Sequence, residues 1–367
     1  MHLICDGLDL CDAVLKVSKA ISNKTPNPIL EGIKLSAEDG NLTLSATDGE
    51  LAIEKKIKAD IMSEGETIVP GKFFSEFLKK LTNERIELVL NEKNQLKIKY
   101  TDSQGEIACY NTLEYPGFKK IESEEYFAIK KCDLKNLINK SIFAVAIDDS
   151  RPILKGCLLE VEQNQIKSVA LDGYRLALVK KPLVSTNVNI SVIVPAKSLS
   201  EISKLLEDNE DVVNIYIQKN MLMIDLCDTK VTTKLLEGDF LNYKQIISNN
   251  YETNVTINKA QFEDALERAS LLSKIGQNNL VKFEIKEKNL SLTSNSEIGN
   301  IKENVNIVLR GNDLTIAFNA RYFMECLRVN NDEFVKLSFN SSSNPCIVTP
   351  HENDEFLYLI LPVRMIN

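Results

Sequence analysis

Two acidic turns are the residues of this sequence best suited to chemistry. Asp48 lies in ATDGELA and Asp172 in ALDGYRLA, and a pair of carboxylates can perform acid–base catalysis or bind a metal. Asp-Gly is first a turn signal, however, and a third, weaker occurrence, TSNSEIGN, has Asn295 and Ser296 there. No nucleophile motif, phosphate-binding loop or metal-ligand cluster accompanies the turns. The sequence therefore predicts no catalytic residue, no metal and no cofactor, and a hydrolase activity lost in Asp172→Asn would contradict this.

The histidines and cysteines also argue against a catalytic or metal site. His2 and His351 are the only histidines, which leaves a histidine-based metal site or a Ser-His-Asp triad poorly supplied. The eight cysteines contain no C-x-x-C pair, and most lie in apolar stretches such as KGCLLEV and MECLRV. This placement predicts buried, reduced thiols rather than disulfides or metal ligands.

Composition and charge restrict the class of protein. The chain has 367 residues, 44% of them hydrophobic and 26% charged, which is enough apolar material for two or three domains. No apolar run approaches a membrane span, and the first residues carry acids where a secretory signal has bases. We therefore expect a cytosolic protein that does not enter a membrane. The net charge of −8 argues against an unspecific DNA-binding protein, so any DNA role depends on where the bases lie.

A threefold internal repeat organises the chain. PILEG at 28–32 returns as PILKG at 152–156, and ATDGELA returns as ALDGYRLA, both after about 124 residues. VPGK at Val69, VPAK at Val194 and FNAR at Phe318 continue the series at the same spacing. Three copies of about 124 residues fill the chain.

Each copy has the same pattern of helices and strands. Alternating stretches such as NLTLSAT at 41–47, ERIELVLNE at 84–92 and QLKIKYT at 95–101 predict strands, and the other copies have VVNIYIQ, MLMIDLCD, VKFEIKEKNLSLTS and FVKLSFN. An amphipathic helix precedes each set of strands and a second helix interrupts it. The prediction is an α+β chain of three similar domains, 1–122, 123–250 and 251–367, with junctions in short polar runs.

The second helix of each copy carries bases at equivalent positions. In KFFSEFLKKL, KSLSEISKLL and RYFMECLRVN, positions one, five and eight share a face at about 100° per residue, and large apolar residues fall opposite. The bases on these faces are Lys72, Lys79, Lys197, Lys204, Arg321 and Arg328. A solvated helix face is the usual meaning of such charge, but its threefold recurrence in an acidic chain favours a surface for a phosphate backbone.

The first helices add a second series of bases. Lys16, Lys140 and Arg268 each lie six residues after an apolar anchor, namely Leu10, Leu134 and Phe262. We therefore expect them to face DNA as well.

The chain resembles the bacterial beta sliding clamps over its whole length. The segments that carry the resemblance are PNPILEGIKL, SATDGELA, TIVPGKFF, RPILKGCLLE, ALDGYRLAL, IVPAKSL, EGDFLNY, FNARYF and the terminal LILPVRM. The resemblance implies three clamp domains per chain and a head-to-tail homodimer that forms a six-domain ring, with helices lining the hole. It also implies a non-enzymatic role, in which the ring encircles double-stranded DNA and tethers the replicative polymerase, and a clamp loader opens it.

The resemblance also assigns site residues. It implies DNA contact by Lys24 and a dimer interface in which Ala108 and Tyr110 meet Leu271 and Leu272 of the other copy. It further implies a pocket for a short partner peptide between the second and third domains. The residues of this pocket are Leu154, Leu171, Gly173, Tyr174, Arg175, Leu176, Leu241, Ile246, Leu359, Leu361, Pro362, Val363, Arg364 and Met365.

This sequence departs from the family pattern at the pocket. Leu171 stands where threonine is usual, Tyr174 where histidine is and Leu241 where proline is, and the tail reads LPVRM in place of MPMRL. Because the tail keeps its apolar character but loses flexible methionines, we expect a narrower peptide preference, with Leu171 and Leu241 reshaping the rim. On the residues alone, Tyr174 and Arg175 also fit a turn tyrosine and a structural ion pair, and the tail fits an edge strand closed by Pro362. A repeat scaffold with no DNA role shares the fold prediction but predicts no difference between circular and linear DNA.

Overall fold

The computed structural model describes residues 1–22, 25–81, 84–117, 122–248, 250–273 and 279–364. Its α-helices are α1 Gly7–Val17, α2 Gly71–Leu78, α3 Lys131–Asn139, α4 Ala196–Leu205, α5 Lys259–Ser273 and α6 Ala320–Arg328. Its strands are β1 His2–Asp6, β2 Gly32–Glu38, β3 Asn41–Thr47, β4 Leu51–Ser63, β5 Gly65–Pro70, β6 Arg85–Leu90, β7 Gln95–Tyr100, β8 Ser103–Ala108, β9 Tyr126–Lys130, β10 Gly156–Glu162, β11 Gln165–Leu171, β12 Arg175–Pro182, β13 Ser185–Thr186, β14 Ile190–Pro195, β15 Val212–Gln218, β16 Met221–Asp225, β17 Thr229–Lys234, β18 Thr253–Asn258, β19 Leu280–Lys286, β20 Asn289–Ser296, β21 Gly299–Gly311, β22 Leu314–Asn319, β23 Phe334–Phe339, β24 Cys346–Pro350 and β25 Phe356–Ile360. The α+β prediction is confirmed, and the strands predicted at 41–47, 84–92 and 95–101 correspond to β3, β6 and β7.

Local sequence explains these elements. In β7, Leu96 and Ile98 are buried while the intervening Lys97 is half-buried, as expected for a strand with one face on a core. α1 begins after Asp6, whose carboxylate accepts hydrogen bonds from the N–H groups of Leu8 and Asp9 at 2.8 and 3.1 Å. This cap satisfies two amides that the first helical turn leaves without partners.

The first compact unit comprises residues 1–131, 184–188 and 201–235. Its antiparallel sheet runs β13-β9-β15-β16-β17-β4-β1-β6-β7-β8, and β5, β2 and β3 extend it from β4. The first part of β4 pairs with β3 on one side and with β17 on the other. A strand of the first repeat is thus joined directly to the last strand of the second repeat.

The second compact unit comprises residues 132–183, 189–200 and 236–367. Its sheet runs β14-β10-β11-β12-β25-β24-β23-β18-β21-β20-β19-β22. β12 of the second repeat pairs with β25, the last strand of the third repeat, just as β4 pairs with β17. Each unit therefore contains one strand junction between successive repeats.

The aromatic residues of the third repeat form much of its core. Phe262 of α5, Phe283 of β19, Phe318 of β22 and Phe323 of α6 are fully buried, with ring centroids 5.0–6.0 Å apart, mostly edge to face. Such aromatic pairs stabilise a core beyond the area they bury. The four phenylalanines hold α5 and α6 against the sheet. The opposite face of each helix is therefore exposed to solvent.

The prediction of buried, reduced thiols is confirmed at four of the eight cysteines. All eight cysteines are free thiols; Cys5, Cys157, Cys326 and Cys346 are buried, whereas Cys227 is exposed. Burial raises the pKa of the Cys157 thiol to about 12, although hydrogen bonds from Ser141 and Ser168 lower it slightly. In the described part of the chain, no helix is long and apolar enough to cross a membrane.

Candidate functional site

The two Asp-Gly turns use their carboxylates for local structure. Asp172 accepts hydrogen bonds from the N–H groups of Tyr174 and Arg175 at 2.9 and 3.0 Å. Asp48 accepts from Glu50 and Leu51 at 3.0 and 2.8 Å in the same way. The glycine after each aspartate has a φ of +93°, which favours glycine. Each aspartate therefore closes its own turn, as the turn reading of the sequence predicts.

Arg175 anchors the turn of the second repeat to the third repeat. Its side chain is buried and hydrogen-bonds Asp172 Oδ2 at 3.0 Å, Glu325 of α6, and the backbone oxygen of Phe143 at 2.6 Å. The guanidinium also lies 4.8 Å from the centroid of the Tyr322 ring. These contacts fix the position of the Arg175 side chain and of the turn that carries it. The molecule thus contains the structural ion pair that the residues alone suggested.

Glu325 and Tyr322 contact Arg175 and Tyr174, and sequence reasoning missed both contacts. Burial raises the pKa of Glu325, but hydrogen bonds from Arg321 and Arg175 outweigh it and hold that pKa below its usual value. Tyr322 stacks on the exposed Tyr174 with ring centroids 6.3 Å apart. These partners lie about 150 residues from the turn in sequence, so no local pattern pointed to them.

An apolar cluster lies beneath the turn. Leu154, Leu171, Leu176 and Leu359 are each 2–3% exposed and belong to one cluster with Tyr243. Partly buried apolar side chains pack against this cluster, namely Ile153, Leu236, Phe240, Ile247, Tyr251, Leu357 and Leu361. The four predicted leucines therefore form a floor, and Leu171 does not stand at the rim where it was expected from the sequence.

Exposed apolar residues surround this floor. Tyr174, Leu241 and Ile246 are 62%, 44% and 46% exposed. Single exposed apolar residues are ordinary, but several around one apolar floor indicate a binding surface. We call the floor and these three residues the junction patch.

The tail after β25 continues along the junction patch. Leu361 N–H donates to the backbone oxygen of Tyr174 at 2.9 Å, and Val363 N–H donates to that of Ala317 at 2.8 Å. Leu361, Pro362 and Val363 are half-buried, and Arg364 is exposed. Met365, the last predicted pocket residue, lies outside the described residues, and Gly173 is exposed in the turn.

The equivalent place in the first unit has smaller and more polar side chains. A cavity of about 230 Å³ there is lined by Thr47, Ala52, Thr232 and Lys234, among others. In the repeat these residues correspond to Leu171, Leu176, Leu359 and Leu361. The hydrogen bonds agree with this correspondence, since Lys234 N–H donates to the backbone oxygen of Glu50 and Leu361 N–H donates to that of Tyr174. Each exchange puts a smaller or more polar side chain in place of a leucine, so the first unit lacks this leucine floor.

The bases on the second helices lie at the surface. Lys72, Lys79, Lys197, Lys204, Arg321 and Arg328 are exposed, and so is Arg268 of α5. Lys79 directly follows α2 instead of lying within it. Lys24 lies outside the described residues.

Carboxylates offset much of this basic surface. Lys204 pairs with Glu201 at 2.7 Å, Arg321 with Glu325 at 2.6 Å, and Arg328 with Glu267 at 2.5 Å. Exposed pairs of this kind contribute about 0–1 kcal/mol each, so they are easily exchanged for other partners. A phosphate can replace the carboxylate, but the net attraction to DNA is smaller than the bases alone suggest.

Lys140 does not face DNA, and that prediction was wrong. Lys140 directly follows α3, and its N–H still donates to the backbone oxygen of Asn136 at 2.9 Å, but its side chain is buried. Lys140 is only 8% exposed and its ammonium lies 2.7 Å from Glu355 and 5.4 Å from the Phe356 ring centroid. Lys16, the equivalent residue in α1, is half-buried and pairs with Asp12 at 3.0 Å.

The residues predicted at the dimer interface lie at exposed places. Ala108 ends β8, which is at the edge of the first unit's sheet, and Tyr110 just beyond it is 38% exposed. Leu271 in the last turn of α5 is 60% exposed, and Leu272 is half-buried. An exposed leucine next to another at a helix end suits a contact surface.

Comparison with known proteins gives a consistent result. Three family models match in order: the N-terminal, central and C-terminal domains of the DNA polymerase III beta subunit, at residues 1–119, 128–242 and 244–364. Beta sliding clamps of Staphylococcus epidermidis and Staphylococcus aureus are each 32% identical over 356 residues, which is 94% of this chain and 94% of the relative.

Solved structures agree with these relatives. The DNA polymerase sliding clamp from Bacillus subtilis is 31% identical, with a TM-score of 0.96 and both chains fully covered. A sliding clamp from Pseudomonas aeruginosa bound to griselimycin is 25% identical, with a TM-score of 0.94 and the same coverage. In the described residues, no group of three or more His, Cys, Asp or Glu side chains could hold a metal ion.

Proposed function

The chain belongs to the family of DNA polymerase III beta subunits, the beta sliding clamps, and we propose that it is a non-catalytic ring around duplex DNA. Two chains form the ring head to tail, and each supplies three domains, 1–122, 123–250 and 251–367. The ring tethers the replicative polymerase and other replication proteins to DNA, and a clamp loader opens it. Since bacterial replication takes place in the cytoplasm, we expect the protein there.

The observation that carries this proposal is the pair of strand junctions. Each joins the strand after an A-x-D-G turn to the last strand of the next repeat, in the same register. In the first unit Ile53 pairs with Val231, and in the second unit Ala177 pairs with Tyr358. The repeat spacing makes Ile53, Ala177 and Ile301 equivalent, so a third junction would begin at Ile301.

Both strands needed for a third junction have an open edge. Among the described residues, β21 before Ile307 pairs only with β20, and β8 pairs only with β7. Open sheet edges readily pair with another chain. Gly105 of β8 is equivalent to Val231 of β17 and Tyr358 of β25. In its own repeat, each of the three pairs with the preceding strand, and their partners there are at equivalent positions.

The third junction therefore has a defined register. Gly105 of one copy pairs with Ile301 of the other, and Gln104 pairs with Lys302. Glu106 then lies diagonally opposite Lys302, where opposite charges stabilise an antiparallel pair. Because each chain offers one β8 edge and one β21 edge, two chains close a ring with two identical junctions.

DNA binding follows from the exposed bases of the helices. We propose that Lys24, Lys72, Lys79, Lys197, Lys204, Arg321 and Arg328 face the duplex. The carboxylate partners of Lys204, Arg321 and Arg328 keep the direct affinity low, and the contacts are sequence-independent and sensitive to salt. A duplex held this way can slide, and the closed ring retains it.

Partners dock on the junction patch. A short peptide with a leucine and a phenylalanine covers the floor formed by Leu154, Leu171, Leu176 and Leu359, between Tyr174 and Leu241. Burying the two apolar side chains supplies roughly 1.5 to 3 kcal/mol each. This fits a weak contact that several partners use in turn.

Retention on circular and linear DNA tests the function. Clamp loaded onto nicked circular DNA should stay bound through gel filtration at high salt and should be lost when the circle is linearised. Blocking both DNA ends with bulky protein complexes should restore retention. Equal retention on open linear and circular DNA would refute the ring and favour ordinary DNA binding, and binding to neither would favour a scaffold without a DNA role.

A further inference from the structure

An ion pair stabilises the repeat junction in the second unit. Glu355 immediately precedes β25, and its backbone oxygen accepts a hydrogen bond from Lys180 N–H at 2.7 Å. Its carboxylate lies 2.7 Å from the buried Lys140 ammonium and 3.2 Å from Lys181. An acid at the start of the last strand is thus held by a base that follows the first helix of the preceding repeat.

The junction in the first unit has an acid at the same position, but a base from a strand holds it: the first-helix base, Lys16, pairs with Asp12 instead. Asp228 immediately precedes β17, and its backbone oxygen accepts from Lys56 N–H at 2.9 Å. Its carboxylate lies 2.7 Å from the buried Lys55, which also approaches Asp12 at 3.6 Å. Burial raises the pKa of Asp228, but the hydrogen bond from Lys55 and the charges of Lys55 and Lys16 lower it below its usual value. One base can therefore hold two carboxylates at such a junction.

The third junction has the counterparts of both Lys140 and Glu355, the ion pair of the second unit, but they lie at open surfaces. Asp102 precedes β8 as Asp228 precedes β17 and Glu355 precedes β25, and it is exposed. Arg268 of α5 is the counterpart of Lys16 and Lys140, and its side chain is 54% exposed. It pairs with Glu303 at 2.7 Å. A guanidinium has five donors, so it can hold Glu303 and a second carboxylate together.

We propose that Arg268 of each copy pairs with Asp102 of the other copy and so locks the junction that closes the ring. The proposal rests on the head-to-tail dimer proposed above and adds the residues that hold it. It also reassigns Arg268. Arg268, which the sequence suggested as DNA-facing, belongs like Lys140 to a junction between repeats.

Charge reversal and charge exchange test this pair. Arg268→Asp and Asp102→Arg, made singly, should each raise the dissociation constant of the dimer at least roughly tenfold, as expected for a close charge pair at an interface. The double variant exchanges the acid and the base in both junctions, so opposite charges face each other again and the constant should return to within a few-fold of the wild-type value. Arg310→Asp is the matched control, because Arg310 is an exposed arginine of the same repeat in β21, away from the open edge.

The measurement is sedimentation equilibrium of the full chain without DNA, at low and high salt. A DNA-contact role for Arg268 would not change the dimer constant under these conditions. Weakening by both single variants with recovery in the double variant supports the pair. The Arg268–Asp102 pair is overturned if the dissociation constants of the single variants lie within twofold of the wild-type value, or if the double variant does not recover. Neither result contradicts the dimer itself. A wild-type chain that is monomeric throughout would instead refute the ring proposal. Asp102→Arg alters an exposed turn, so it keeps the test valid if Arg268→Asp fails to fold.

Discussion

Lys140→Met separates a structural role from a DNA-binding role at the residue where sequence and structure disagree. Methionine keeps an apolar side chain but removes the ammonium that lies over the Phe356 ring and pairs with Glu355. Removing one partner of a fully buried pair costs about 3–5 kcal/mol. Two observations lower this figure: Glu355 is 27% exposed, and Lys181 remains 3.2 Å away. We therefore expect a loss of about 1–3 kcal/mol in the free energy of unfolding.

The pH dependence of this loss follows from Glu355. Burial raises its pKa, but the hydrogen bond and charge of Lys140 and the charge of Lys181 outweigh burial, so its pKa in the folded protein is lowered. A carboxyl group with a lowered pKa stabilises the fold above its unfolded pKa of about 4.3, and this contribution disappears as the pH falls through the folded pKa. The difference between wild type and Lys140→Met should therefore be full at pH 7 and shrink below about pH 4.

Urea unfolding at several pH values measures the difference, and retention on circular DNA is measured in parallel. Lys180→Met is the matched control, since Lys180 pairs with Asp354, which is 89% exposed. That exposed pair should cost at most about 0.5–1 kcal/mol. If Lys140→Met unfolds at the same urea concentration as wild type but loses DNA retention, the structural role is wrong and the helix-face reading of the sequence is right.

Two further predictions concern the other surfaces. Replacing Leu271 and Leu272 with alanine should weaken the dimer by up to about 2–5 kcal/mol per leucine buried at the interface; sedimentation that finds the double variant fully dimeric at sub-micromolar concentration contradicts this assignment. Leu361→Asp should abolish binding of a fluorescent leucine- and phenylalanine-containing peptide at the junction patch, measured by polarisation, while the equivalent Lys234→Asp leaves it unchanged; unchanged binding by Leu361→Asp means that the peptide docks elsewhere.

The repeat made the fold predictable from sequence. Because the spacing of about 124 residues is kept through the A-x-D-G turns, strands such as β3 and β15 could be placed by alternation and checked against their copies. The same spacing aligned the helices correctly at their starts. It failed at Lys140, because that ammonium is buried against Glu355 and Phe356 of the third repeat, and a residue count does not describe such packing.

The charge environment could not be predicted in the same way. Arg175 meets Glu325 about 150 residues away, and Arg328 meets Glu267 on another helix. These acids looked like ordinary surface residues when each helix was considered alone. Only the packing of α6 beside α5 and the turn before β12 shows that the bases are already paired, which changes the expected DNA affinity.

The three junctions differ in a way that determines where the proposed ring opens. The junction in the first unit includes the buried Lys55 between two carboxylates, and the junction in the second unit has Lys140 and the leucine cluster. Opening either would leave a charge buried without its partner or expose apolar floor, and each is also held within one chain. The third junction joins separate chains through open strand edges and the exposed Arg268 and Asp102, so its ionic part is weakened by salt and its charges are readily solvated when apart. A loader that must admit DNA without unfolding a domain therefore meets the least resistance at this junction. Raising the salt concentration should speed spontaneous release of the wild-type protein from circular DNA. The increase should be smaller for Arg268→Asp, because that ion pair is already lost.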